Sequence, residues 1–392
     1  MEKLSYKFAV FFLAFSVGIA IAGVFYVRTL TEVAEVDEPI FDGPVNQTVI
    51  EGQALEMVFV LDTTGSMGGL LEGAKQRIWG IVNEVMQKQS RPRVRVGLVA
   101  YRDKDDAYVT KVLPLTDDLD KVYTTLMDYE AAGGGDTPED VRRALADGVK
   151  NAGWSQAKQG IAQIIFLVGD APPQSYENEP DVLATTSQAV KKNMIVNTIQ
   201  CGDAVDTKKV WQQVAQYGQG KYFAIAQDGG VQTINTPYDE KLAELGNKIG
   251  QTYLAYGTGR VAAANMQAAT EERMVAAANT PTRADRTLNK AINDRAYNDD
   301  LLQDVETGKT KLESVKSEDL PDDLRKMSES ERKAEIEKRL AERKKIREEI
   351  LNLSKQRDAF ISAERKKSGK QNGFDAAVAE ALSEQLARRG IK

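Results

Sequence analysis

The chain has 392 residues, a formal net charge of −6, one cysteine (Cys201) and no histidine. That inventory excludes Ser-His-Asp triads, Cys-His pairs, His-ligated zinc and intrachain disulfides together. The acidic balance, with no block of like charge wide enough to follow a phosphate backbone, argues against nucleic acid and for metal cations or basic surfaces as partners.

Residues 1–28 read as a signal anchor. Lys3 and Lys7 precede the uncharged, apolar run Phe8 to Val27. At about 1.5 Å per residue this run reaches roughly 30 Å, enough for a transmembrane helix to cross the hydrocarbon layer. The alternative is a cleaved signal peptide, because Ala20-Ile21-Ala22 before Gly23 has the small-x-small form of a cleavage site. The charge asymmetry predicts that the bulk of the chain lies outside the cytoplasm, periplasmic or extracellular, tethered to the inner membrane; cleavage would make it secreted. Residues 29–53, acidic and broken by Pro39, Gly43 and Pro44, read as a linker.

From 54 to 257 short apolar runs alternate with amphipathic stretches, the pattern of an α/β fold. Strands are expected at Met57–Leu61, Val94–Ala100, Ile161–Val168, Met194–Ile199 and Tyr222–Ala226, with an edge strand near Val109–Leu113. Helices are expected at Gly69–Gln89, Leu119–Tyr129, Pro138–Asn151, Asp181–Lys192 and Lys208–Tyr217. Runs such as IIFLV suit strands covered on both faces, so a doubly wound, mostly parallel sheet flanked by helices is predicted.

In such sheets ligands bind beyond the carboxyl ends of the strands. Three loops at that edge carry oxygen-bearing side chains: Asp62-Thr63-Thr64-Gly65-Ser66, the GGGDTPED stretch from Gly133 to Asp140, and Gly169-Asp170-Ala171-Pro172-Pro173. An all-oxygen set suits Mg²⁺, Mn²⁺ or Ca²⁺. Each part also has a plainer reading. Thr64 and Ser66 could cap the helix that follows, Thr137 could be an N-cap with Pro138 at N1 and Asp140 as a capping-box-like partner, and Asp170 could be a turn residue. Their coincidence at one sheet edge favours a metal site. Asp103, Asp105 and Asp106 read as a solvated loop.

Asp62-x-Thr64-x-Ser66, with Thr137 in a glycine-rich loop and Asp170 at a strand end, resembles the metal-ion-dependent adhesion site (MIDAS) of the von Willebrand factor type A (vWA) family, over about Glu56 to Gly257. One departure is Thr64, where the family usually has a second serine. The resemblance implies that Ser66, Thr64 and Thr137 offer hydroxyl oxygens to a magnesium-like ion, while Asp62 and Asp170 bind it directly or through water. It further implies protein binding of the adhesion type, with an Asp or Glu carboxylate of a protein partner as the last ligand. Displacement of the domain's last helix, here about Pro237 to Tyr256, would be coupled to that binding.

An enzyme is not expected, and neither is a small-molecule substrate. Phosphotransferases of the haloacid dehalogenase type need a second acid two positions after the first, where Thr64 stands; no Gly-Lys-Ser/Thr phosphate loop follows a strand; and Gly65-Ser66-Met67-Gly68 is not a nucleophile elbow.

Residues 258–392 form a charged, helical C-terminal region. Arg260 to Val315 has few large apolar residues, which predicts helices packed onto the sheet domain or a partner rather than a separate core. Ser328 to Glu331 makes a capping box before a long helix in which Ile336, Leu340, Ile346, Ile350 and Leu353 recur at helical spacing, either a solvated helix or a coiled coil or docking helix. Phe374, Val378, Leu382 and Leu386 form a short apolar stripe that should pack against something. This tail resembles those of bacterial membrane-anchored vWA proteins. A cell-envelope scaffold with a non-functional metal site is the alternative function.

Overall fold

The nine-residue run Ile161–Gly169, without a charged break, can be a strand only if both of its faces are covered, and the structure covers them. The protein is described by a computed structural model over residues 50, 52–88, 90–135, 139–231, 233–368 and 373–391. The apolar run Phe8–Val27 and nearly all of the linker lie outside these residues. Among them, no helix is long and apolar enough to cross a membrane.

One sheet has the strand order β3-β2-β1-β4-β5-β6, formed by β1 (Ala54–Asp62), β2 (Arg93–Tyr101), β3 (Thr110–Thr116), β4 (Ile161–Gly169), β5 (Met194–Cys201) and β6 (Gln219–Ile225). Only the edge strand β3 is antiparallel; the other pairings are parallel. The order reverses between β1 and β4, so the crevice of a doubly wound sheet opens above the ends of those two strands. Glu56 of β1 is fully buried, and Arg95, the Ser155 N–H and the Gln163 side-chain amide surround its carboxylate.

Alternate residues of the central strands feed two cores. Met57, Phe59 and Leu61 pack with α1 (Gly68–Met86) and α2 (Leu119–Met127) on one face. Val58 and Val60 pack with α3 (Val141–Lys150), α4 (Val182–Lys191) and α5 (Val205–Tyr217) on the other. One expectation is corrected here. The third helix starts at Val141 and not Pro138, because Asp140 is its N-cap and accepts the Arg143 N–H at 3.0 Å. Within the stretch expected to hold the domain's last helix lies α6 (Asp239–Gln251), which packs chiefly on later helices through Leu242, Leu245 and Ile249.

The place beside α1 on the sheet is taken instead by the chain's last helix. Helices α7 (Arg260–Ala277), α8 (Thr280–Ile292), α9 (Leu301–Glu306), α10 (Asp322–Arg325) and the 40-residue α11 (Glu329–Ser368) intervene before α12 (Phe374–Arg388). The predicted stripe Phe374, Val378, Leu382 and Leu386 is buried in the first core, with the Phe374 ring 5.9 Å from that of Phe59. Buried Gln385 exchanges side-chain amide hydrogen bonds with Asn197 of β5, which satisfies two polar groups inside the interface.

The long helix begins at the expected capping box, Ser328 and Glu331 bonding each other's backbone and side chain. Its buried seam has a seven-residue period: Ile336, Arg343, Ile350 and Arg357 are 2, 1, 0 and 4% exposed. Each arginine is neutralised by acids of neighbouring elements. Arg343 meets Asp300 at 2.5 Å, and Arg357 meets Asp239 at 2.6 Å and Asp285 at 2.5 Å. The helix therefore docks onto α6, α8 and α9. Leu301, Leu302, Leu320, Leu324 and Ile336 form a small core of their own, which the sparse apolar content of 260–315 did not lead one to expect.

Candidate functional site

The site begins with how β1 ends. Asp62 is the last strand residue and fully buried; the chain then leaves the sheet in an extended turn at Thr64 and enters a short 3-10 turn, Gly65–Met67, ahead of α1. Thr64 makes no capping bond to that turn. Its hydroxyl donates instead to Asp62 Oδ1 at 2.6 Å, and its N–H donates to the same oxygen at 2.9 Å. A hydroxyl has one hydrogen. Because Thr64 commits it to Asp62, the oxygen lone pairs point elsewhere, toward Ser66 Oγ at 3.5 Å and the cleft above.

The glycine loop comes against this turn from the side. Gly133 and Gly134 have φ of +80° and +72°, and a Cβ on Gly134 would stand 2.9 Å from Thr64 Cβ. Only glycine permits both that backbone and that approach. The loop is fixed by Gly65 N–H to the Gly133 carbonyl and by Gly134 N–H to Asp106 Oδ2 at 3.1 Å. Asp103 is likewise not solvated: it is 7% exposed and accepts the Tyr176 hydroxyl at 2.5 Å. Of the three acids read as a solvated loop, only Asp105 is exposed.

Asp170 follows β4 directly, next to the end of β1. A Cβ on Gly169 would lie 3.3 Å from Asp62 Oδ2, which locates that oxygen beside the β4 terminus. Asp170 Oδ2 accepts the Gln227 amide at 2.6 Å, and the same amide reaches the Ser66 carbonyl at 3.4 Å. Asp62, Thr64, Ser66 and Asp170 thus share one edge of the sheet. Thr137, with Asp136 and Pro138, lies outside the described residues.

Sequence reasoning passed over Glu139. It is 2% exposed, pairs its backbone with Pro173, and lines the same cleft of about 590 Å³ as Thr64, Ser66 and Asp170. Its only signal was its place inside GGGDTPED, where a cap was the ordinary reading.

Burial and mutual repulsion set the electrostatics of these acids. Burial pushes the Asp62 carboxyl up to about 7 against the pull of the Thr64 hydrogen bonds, with Asp170 and Asp106 adding to the rise. Burial, then the charges of Asp62, Asp103, Asp106 and Asp170, push Glu139 to about 8. Asp62 Oδ2 and Glu139 Oε2 are both buried without a hydrogen-bond partner. Orphaned buried carboxylate oxygens cost free energy unless a proton or cation meets them. Among the described residues, no three His, Cys, Asp or Glu side chains converge closely enough to hold an ion by themselves. Any ion here therefore needs the hydroxyls as well. The donor set, oxygen only, fits a hard divalent cation.

Residues 56–237 match the family model of the von Willebrand factor A domain, somewhat under half of the chain and the stretch that carries the motif. Over 142 residues the chain is 29% identical to an ariadne-like RING finger protein of Acanthamoeba polyphaga mimivirus. That alignment covers 36% of this chain and 13% of the viral protein, so the chain spans about an eighth of that relative. Among solved structures, BatB of Bacteroides thetaiotaomicron is 16% identical with a TM-score of 0.33, covering 45% of this chain and 91% of that one. The SpRpn10 VWA domain is 16% identical with a TM-score of 0.34, covering 45% and 88%.

Proposed function

We propose that the vWA-like segment is a divalent-cation-dependent protein-binding module. Its ion, Mg²⁺ or Mn²⁺ or Ca²⁺, would be held by Thr64, Ser66 and Thr137 hydroxyls with Asp62 and Asp170, and would recognise an Asp or Glu carboxylate of a protein partner. The observation that carries this reading is the asymmetry of Asp62. One oxygen is occupied twice by Thr64 while the other is buried and bare, so the carboxylate both orients a coordinating hydroxyl and retains free valence toward the ion. A site that relies on neutral hydroxyls for part of its shell leaves the cation electrophilic enough to draw an external carboxylate. No catalytic role is assigned. The N-terminal apolar run would hold the module at a membrane with its bulk outside the cytoplasm.

The test is partner capture from membrane extracts by the full chain, by the Asp62→Ala variant and by the wild type with EDTA. The proposal expects retention by the first alone. A scaffold acting through its helical region would keep its partners in all three arms.

A further inference from the structure

The cation reading leaves one carboxylate of the cleft without a task. Glu139 is 2% exposed, and its Oε2 has no hydrogen-bond partner. Buried acids are ordinarily paired with a base or enclosed by donors, as Glu56 is in the same domain. Among the described residues no base or donor meets the Glu139 Oε2. The charged groups that act on it are themselves acids: Asp62, Asp103, Asp106 and Asp170.

Nor is its position an accident of a loose loop. Its carbonyl accepts the Gln174 N–H at 2.8 Å and its backbone bridges Pro173, so the loop after β4, which carries Asp170, fixes Glu139 to the same rim. On the other side its Oε1 lies 3.4 Å from where a Gly134 Cβ would stand, and that point is 2.9 Å from Thr64 Cβ. The glycine therefore keeps open the space between the Glu139 carboxylate and the Cβ and methyl of Thr64. Asp140, next in the chain, is the cap of α3, so the neighbouring acid is the structural one of the pair.

We infer that Glu139 belongs to the ligand shell of the cation, facing it directly or through one water and supplying a third carboxylate beside Asp62 and Asp170. This rests on the cation reading proposed above and deepens it. A further carboxylate near the ion, direct or through water, raises the affinity for the cation before a partner arrives, because ligand charge sets that affinity. The same charge is a burden in the metal-free protein, where it is buried against other acids. Removing it should therefore have opposite effects on the two states.

The test is Mn²⁺ titration of the full chain in detergent, read by calorimetry, with thermal melts of the metal-free forms. Glu139→Gln is expected to weaken Mn²⁺ binding at least roughly tenfold while raising the metal-free melting midpoint. Asp203→Asn, which removes an exposed charge from the rim of the same cleft, should change affinity by less than about twofold, as expected for a screened surface charge. Should Glu139→Gln fail to fold, Glu139→Asp carries the test: a carboxylate one methylene short is expected to bind Mn²⁺ more weakly than wild type. Wild-type affinity in the Glu139 variants, or an equal loss in Asp203→Asn, overturns the assignment. Absence of Mn²⁺ binding by the wild type itself removes the underlying cation reading, a result distinct from either.

Discussion

Gln227 donates its side-chain amide to Asp170 Oδ2 at 2.6 Å, and it does so from the loop that also anchors the chain's last helix. Two residues later the Gly229 carbonyl accepts the Phe374 N–H at 2.9 Å, at the start of α12. A cation that draws Asp170 away from Gln227 would perturb the first of these bonds, and the loop offers a short covalent route to the second. We expect Mg²⁺ to change amide hydrogen exchange at the N-terminal turn of α12, and Gln227→Ala to abolish that response. Identical exchange with and without the ion would disconnect the two.

The attachment of α12 should itself be strong. Phe374 is 1% exposed and packs on Phe59, so Phe374→Ala should cost about 3–5 kcal/mol. Phe374→Leu, which keeps most of the volume, should cost less. Urea denaturation of both variants measures the difference.

Arg357 is predicted to hold α11 in place at similar strength. Its replacement by alanine would leave Asp239 as a buried charge without its ion-pair partner and Asp285 with only the longer 3.7 Å pair to Arg77, a loss of about 3–5 kcal/mol. Exchanging all three for apolar or amide groups, Arg357→Met with Asp239→Asn and Asp285→Asn, should recover much of it. Proteolysis within α11 should accelerate in the single variant and return toward wild type in the triple one.

Those arginines explain where the sequence was and was not legible. The strands and their carboxyl-edge loops were visible because IIFLV-type runs and strand-end acids are local signals. The docking of α11 was not, since two of its four buried heptad positions are arginines, which read as surface until Asp300, Asp239 and Asp285 are brought to them from other elements. Asp103 was hidden for the same reason, because Tyr176 is 73 residues away in the chain. The seat of α12 on the sheet was beyond reach: its apolar stripe was visible, but only the tertiary fold decides which surface that stripe covers.

Acid should weaken one tertiary contact in a defined direction. Glu271 is half-buried; although burial raises its carboxyl, the hydrogen bonds and charges of Arg286 and Lys290 outweigh that and hold it down at about 2. A carboxyl lowered in the fold contributes stability above its unfolded value of about 4.5, and loses it as pH falls toward 2. The contribution is on the order of 3 kcal/mol. Wild type and Glu271→Gln should therefore differ clearly in denaturation midpoint at pH 6, and the gap should shrink below pH 4.5 and close only as pH falls below about 2. A gap independent of pH would assign the difference to packing.

The central claim is that Asp62 and the hydroxyls beside it bind a divalent cation. Calorimetric titration of Mg²⁺ into the wild type and Asp62→Ala tests it most directly. The account predicts one-site binding at or below millimolar concentration in the wild type and none in the variant; equal heats from both proteins, or no wild-type binding in the millimolar range, would contradict it.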